Sequence, residues 1–153
     1  MAILETTVTR RMRIDAPPDA VWEAVRTMGL GRLHLLQEEG EQKLREGARL
    51  EWFEPEKDTP IPHLKGRITV IARPRHIAFT AYMPSTGLPD VPENHTAVDI
   101  TLEEEEDGRT LVTVEHGDFA GHPNGPRLAR QVGQDWVEAL IRLREFVEHG
   151  AAA

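Results

Sequence analysis

Residues 6 to 14 alternate in character. Val8, Met12 and Ile14 fall on one side of an extended chain, and Thr7, Thr9, Arg11 and Arg13 fall on the other. This period of two predicts a half-buried strand. Arg10 shares the apolar side and is its one charged exception. Pro17-Pro18-Asp19 then predicts a helix start, since proline suits the first turn and an early acid complements the helix dipole. Val21, Val25 and Met28 continue as one helical face until Gly29 and Gly31 interrupt it. A second short helix is expected within residues 30 to 40. Strand signals follow at 48 to 54, 64 to 73, 76 to 83, 95 to 106 and 109 to 118, with 41 to 45 a further candidate. The last element spans about 126 to 148. It opens on Pro126, stops before Gly150, and carries Leu128, Val132, Trp136, Leu140, Leu143 and Val147 as one apolar stripe at helical spacing.

Parity decides how the last two strands pair. A two-residue turn at Asp107-Gly108 would set the apolar residues of one strand against the polar residues of the next. A three-residue loop with Gly108 left-handed instead aligns Val98, Ile100 and Leu102 with Val112, Val114 and His116 on a shared face. The second register is the expected one. It leaves the acidic run 103 to 106 as a solvated hairpin tip. In a meander the connections alternate ends, so the tight turns near 45 to 47, 73 to 75 and 106 to 108 gather at one end. The longer loops 55 to 63, 84 to 94 and 119 to 125 gather at the other, which is where an opening is expected. Gly133, inside the helical stripe, carries a helix cost of about 1 kcal/mol. Either a strand backbone approaches closely there or the missing side chain makes room for another group.

The chain has 153 residues, 39% of them hydrophobic, enough for one core. A single domain over 1–150 with a tail at 151–153 is expected. Its 18 basic and 26 acidic residues give a formal charge of −8, which disfavours nucleic acid and anionic membrane surfaces. The absence of cysteine removes disulfides, thiolate catalysis and Cys-containing zinc sites. No window approaches the roughly 18 apolar residues of a membrane span, and a cytoplasmic location is expected. The seven histidines, at 34, 63, 76, 95, 116, 122 and 149, show no metal-ligand spacing, so neither a metal nor a cofactor is expected. Ser85, the only serine, lacks the context of a hydrolase nucleophile, and no phosphate-binding glycine loop is present.

Four stretches, in this order and spacing, carry a family resemblance: Ile14-Asp15-Ala16-Pro17-Pro18-Asp19-Ala20-Val21-Trp22, Arg45 to Leu50, Leu111 to Phe119, and Trp136 to Phe146. The chain resembles the SRPBCC (START-like, helix-grip) superfamily. Within it, the likeness is greatest to the homologues of the activator of heat-shock-protein-ninety ATPase. The resemblance implies an α+β helix-grip fold, in which a curved antiparallel sheet of about six to seven strands wraps a long C-terminal helix. One or two short helices would follow the first strand, and a hydrophobic pocket would lie between sheet and helix. Members bind lipids, polyketides or hormones or act on small molecules, so the fold alone does not fix a function.

Arg10 and His116 are the two polar exceptions on inward strand faces, and the resemblance would make their strands neighbours. A buried guanidinium needs a carboxylate, water or an anionic ligand, and Asp118 is a candidate partner. His116 is either a ligand contact and acid–base group or a hydrogen-bonded structural residue. Trp52, Phe79, Ile100, Val114, Phe119, Val132 and Trp136 line the expected interior, as pocket wall or as core; Trp22 is read as core. Three functions are open on this evidence. One is a binder of a small hydrophobic or amphipathic molecule, oriented by Arg10 and His116. Another is a cyclase- or hydrolase-type enzyme using the same two residues. The third is a co-chaperone-like interaction module, with a homodimer or a protein partner.

Overall fold

The computed structural model describes residues 6–28, 34–35, 46–53 and 64–150, with side chains 26–28, 34–35 and 50–53 outside that description. Strand β1 (Val8–Ile14) leads into helix α1 (Pro18–Met28), followed by β2 (His34–Leu35), β3 (Arg49–Phe53), β4 (Leu64–Ala72), β5 (His76–Ala81), β6 (Thr96–Glu104) and β7 (Thr110–Gly117), and the chain closes with α2 (Gly125–His149). All strand pairings are antiparallel, in the order β1-β7-β6-β5-β4-β3-β2. The strands from β1 to β4 in this order form the continuous body of the sheet, and β3 and β2 extend it past β4. Of residues 30 to 40, where a second helix was expected, only His34 and Leu35 are among the described residues, and these two pair with Phe53 and Trp52. The exposed edge of β3 offers backbone partners that local sequence does not reveal. The strand expected at 41 to 45 and the loop 55 to 63 lie outside the described residues.

The hairpin register follows from side-chain parity as read from the sequence. Val98 faces His116, Ile100 faces Val114 and Leu102 faces Val112. The loop closes through the Glu105 N–H to the Arg109 carbonyl at 2.8 Å and the Gly108 N–H to the Glu105 carbonyl at 2.9 Å. Gly108 sits at φ +84°, a conformation a side chain would resist. Most of the acidic tip is exposed; Glu105 accepts a 2.7 Å bond from Arg13 Nε across the β1–β7–β6 face.

Helix α2 has 25 residues and is about 37 Å long. Its buried residues Ala129, Val132, Gly133, Trp136, Ala139, Leu140 and Leu143 cover the inward side chains Val8, Ile14, Ile68, Ile77, Phe79, Val98, Ile100, Leu102, Val112 and Val114 in one core. Val21, Trp22 and Val25 of α1 join the same cluster. Burying one such aliphatic or aromatic side chain contributes about 1.5–3 kcal/mol, so α2 is held to the sheet by apolar contact along most of its length.

Candidate functional site

Parity places His116 on the inner face of β7, and the fold then surrounds it. It is 1% exposed. The indole Nε1–H of Trp136, one side of the α2 stripe, donates to its Nδ1 at 3.1 Å. A ring that accepts at Nδ1 carries its proton on Nε2 when neutral, and Nε2–H donates to Thr96 Oγ1 at 2.7 Å. The Thr96 hydroxyl passes its own proton to the Ala81 carbonyl at 3.2 Å. Both ring nitrogens are thus occupied, by groups on two separate elements, α2 and β6. Burial, with a smaller contribution from nearby His122, pulls the His116 pKa from 6.5 down to about 3. A neutral imidazole with no nitrogen to spare suits a structural anchor better than an acid–base catalyst.

Arg10 lies opposite Val114 in the β1–β7 register, with His116 opposite Val8, so the two inward exceptions are neighbours on adjacent strands. They do not share a partner. The guanidinium of Arg10 rests on α2 at Gly133, where an added Cβ would collide with Nη2 and stand 2.9 Å from Cζ. The room left by the missing side chain at Gly133 is taken up by this guanidinium. Nη1 of Arg10 donates to the Thr9 carbonyl at 2.8 Å. Asp118 is not its partner. That exposed carboxylate is held below the usual range by the Thr6 hydroxyl and by the Ala120 N–H, the latter 2.8 Å away.

Of the expected lining, Phe79, Ile100, Val114, Phe119, Val132 and Trp136 are all buried in the common core. Trp52 lies opposite Leu64 in the strand register, and its side chain is outside the description. Trp22 is buried as expected, and its indole N–H has no hydrogen-bond partner. Thr96 and Thr110 escaped the sequence reading, although Thr96 shares the parity of Val98, Ile100 and Leu102 and Thr110 that of Val112, Val114 and His116, and both are buried.

An open pocket of about 380 Å³ lies at the rim where loops 84 to 94 and 119 to 125 meet the start of α2. Thr86 and Leu88 form one wall, and His122, Pro123, Asn124, Arg127, Leu128 and Gln131 form the other. None of these was singled out as a ligand contact from sequence. The signal available was positional, since the longer loops were expected to gather at this end. Local bonding fixes the α2 side of the rim. The His122 N–H donates to the Phe119 carbonyl and the Gly125 N–H to the His122 carbonyl, each at 3.0 Å. Phe119 connects rim to interior, its ring centroid 5.5 Å from that of His122 and 5.0 Å from that of His116.

An antiparallel sheet gripping one long terminal helix, with a polar anchor in its core and a pocket at its rim, defines an SRPBCC-type helix-grip domain. The chain belongs to the Activator of Hsp90 ATPase homolog 1-like protein family, whose model matches residues 15–148. Among solved structures, it is similar to CalU16 from Micromonospora echinospora, at 25% identity and a TM-score of 0.65, covering 94% of this chain and 76% of that one. The Aha1 dimer from Colwellia psychrerythraea matches at 17% identity and a TM-score of 0.69, covering 95% and 98%. DynU16, from the dynemicin biosynthetic locus, matches at 19% identity and a TM-score of 0.71, and this chain spans 96% of its own length but 49% of that protein. These last two likenesses concern the fold alone. No curated protein matches the chain. Among the described residues, no helix is long and apolar enough to cross a membrane.

Proposed function

We propose that the protein binds a small hydrophobic or amphipathic molecule at the rim between the sheet and α2. The observation that carries this reading is the pocket of about 380 Å³ between the Thr86–Leu88 turn and the first turns of α2. Its volume lies in the range of small-molecule sites, and it combines apolar surface with a few polar groups, as such sites do. Leu88, Pro123 and Leu128 would take the apolar body of the ligand, and Arg127, Asn124 and Gln131 would orient a polar or acidic head. Of the buried residues, Phe119 meets the rim through His122, and Arg10 rests on α2 at Gly133. His116 acts here through its hydrogen bonds and not through proton transfer, which sets binding ahead of a cyclase- or hydrolase-type reaction at this residue.

Thermal-shift measurement against a panel of fatty acids, aromatic polyketides and sterols tests the proposal. A ligand present at about 100 times its Kd stabilises the fold by about 2.7 kcal/mol, and Leu128→Asp is expected to remove that shift. A panel in which no compound raises Tm, or a shift that Leu128→Asp leaves intact, refutes the reading.

A further inference from the structure

Strand β1 ends the sheet on one side, with β7 as its only strand partner among the described residues. The hairpin between β6 and β7 fixes which backbone groups of β1 are used. The Glu105 N–H donates to the Arg109 carbonyl, and the register that continues from this pair sets Glu103, Thr101 and Asp99 opposite Leu111, Thr113 and Glu115. Odd-numbered residues of β7 therefore turn their backbone groups to β6. The even-numbered ones turn theirs to β1, because successive residues of a strand point opposite ways. Their partners in β1 are Val8, Arg10, Met12 and Ile14, so the backbone groups of Thr9, Arg11 and Arg13 face outward. Two bonds to side chains agree with this. The Thr9 carbonyl accepts from Arg10 Nη1, and the Asp15 N–H donates to Glu148 Oε2, each at 2.8 Å. Between them, the backbone N–H and C=O groups of Arg11 and Arg13 have no partner among the described residues.

An open edge of this kind accepts another strand, and its surroundings define which one. On the outer face Arg11 is exposed and makes no ion pair, while Arg13 is held by Glu105 at 2.7 Å. On the side of α2, Arg10 bonds only its neighbour's carbonyl, and Arg144 Nη1 reaches Met12 Sδ at 3.1 Å. Arg10, Arg11 and Arg144 thus stand along one edge without a carboxylate partner, on a chain of formal charge −8. The acids near them are engaged elsewhere or stand apart. Glu105 holds Arg13, Glu148 accepts from Asp15, and Glu115 lies opposite Thr9 without an ion pair. Gly133 and Arg144 are points at which α2 touches β1 side chains. Val137 and Ile141 lie between these two at helical spacing and are 38% and 39% exposed. Apolar surface therefore flanks the same edge. A second copy of this chain is a poor occupant, because pairing β1 with β1 sets the arginines of both copies side by side, and like charges there destabilise a sheet.

We propose that the free edge of β1 takes an extended segment of a partner protein in which acidic and apolar residues alternate. The added strand bonds the backbone of Arg11 and Arg13. Its acids lie beside Arg11 on the outer face, and its apolar residues rest on Val137 and Ile141. This surface shares no residue with the rim pocket, so the two bind independently.

Amide shifts and amide exchange of the full chain, followed while the acetylated peptide Glu-Val-Glu-Val-Glu or its counterpart Lys-Val-Lys-Val-Lys is added at constant ionic strength, test the assignment. The acidic peptide is expected to give saturable shifts centred on Thr9, Arg11 and Arg13, with a Kd of about 1 mM or tighter. At about ten times Kd it should slow exchange of the Arg11 and Arg13 N–H groups about tenfold. Arg11→Glu, a change at an exposed side chain, is expected to weaken binding about tenfold, and Val137→Ser less. Equal affinity for the basic peptide, shifts that do not saturate, or an Arg11→Glu variant that binds the acidic peptide as well as the wild type would overturn the proposal. So would Arg11 and Arg13 amides that are protected in the free protein and released on dilution, the mark of a second copy on this edge.

Discussion

His116 makes acid lability a sharp consequence of the fold. In the native state its pKa is about 3, against 6.5 for a free side chain. The folded pKa is depressed, so between these values the unfolded chain binds the proton and the folded chain does not. Stability therefore holds above pH 6.5 and falls as pH drops toward 3. Each pKa unit is worth about 1.36 kcal/mol, so the full gap corresponds to about 5 kcal/mol. About 2 kcal/mol of it is lost between about pH 7 and about pH 5. The comparison to make is urea unfolding of the wild type and His116→Gln at both pH values. The glutamine amide can still meet Trp136 or Thr96 but does not titrate. Other histidines and carboxylates are common to both proteins and cancel in the difference. The stability advantage of the wild type is expected to shrink by about 2 kcal/mol on acidification. Equal pH dependence in the two proteins, within about 0.5 kcal/mol, would show that His116 does not enter the folded state neutral and buried. The same reasoning would fail if the imidazole proton shifts of His116 titrated between about pH 7 and about pH 5 in the native protein.

Two further substitutions probe the same interior. Thr96→Val keeps the shape but removes the oxygen that accepts from His116 Nε2, and it should cost about 1–3 kcal/mol in chemical denaturation as a buried N–H loses its partner; a loss below about 0.5 kcal/mol would contradict the relay. Gly133→Ala sets a helix-propensity gain of about 1 kcal/mol against displacement of the Arg10 guanidinium. It should stabilise an Arg10→Ala protein more than the wild type, and a double-mutant cycle with no coupling would refute the contact.

Much of the architecture was legible because it depends on short-range regularities. Alternation in residues 6 to 14 and 95 to 118 marks strands and their inner faces, and the spacing from Leu128 to Val147 marks the long helix. The short pairing of His34 and Leu35 was missed because an edge strand is defined by its neighbour. The candidate site was legible in part. Arg10 and His116 stood out as polar residues on apolar faces, and Thr96 could have been found by the same parity rule. The partner of Arg10 was not readable, since Asp118 is near His116 in sequence yet bonds to Thr6 and Ala120 instead.

The sequence by itself determined the period of each element, the left-handed turn at Gly108 and, through side-chain parity, the register that buries Val98, Ile100 and Leu102 together. These follow from steric preferences and hydrophobic patterning acting over a few residues. Tertiary structure alone decided that Trp136 and Thr96 would occupy both nitrogens of His116, that Arg10 would lie on Gly133, and that β1 would keep an open edge beside Arg11 and Arg144. A hydrogen bond or a depressed pKa depends on distance and dielectric surroundings. Chain folding brings such groups together from positions far apart in sequence.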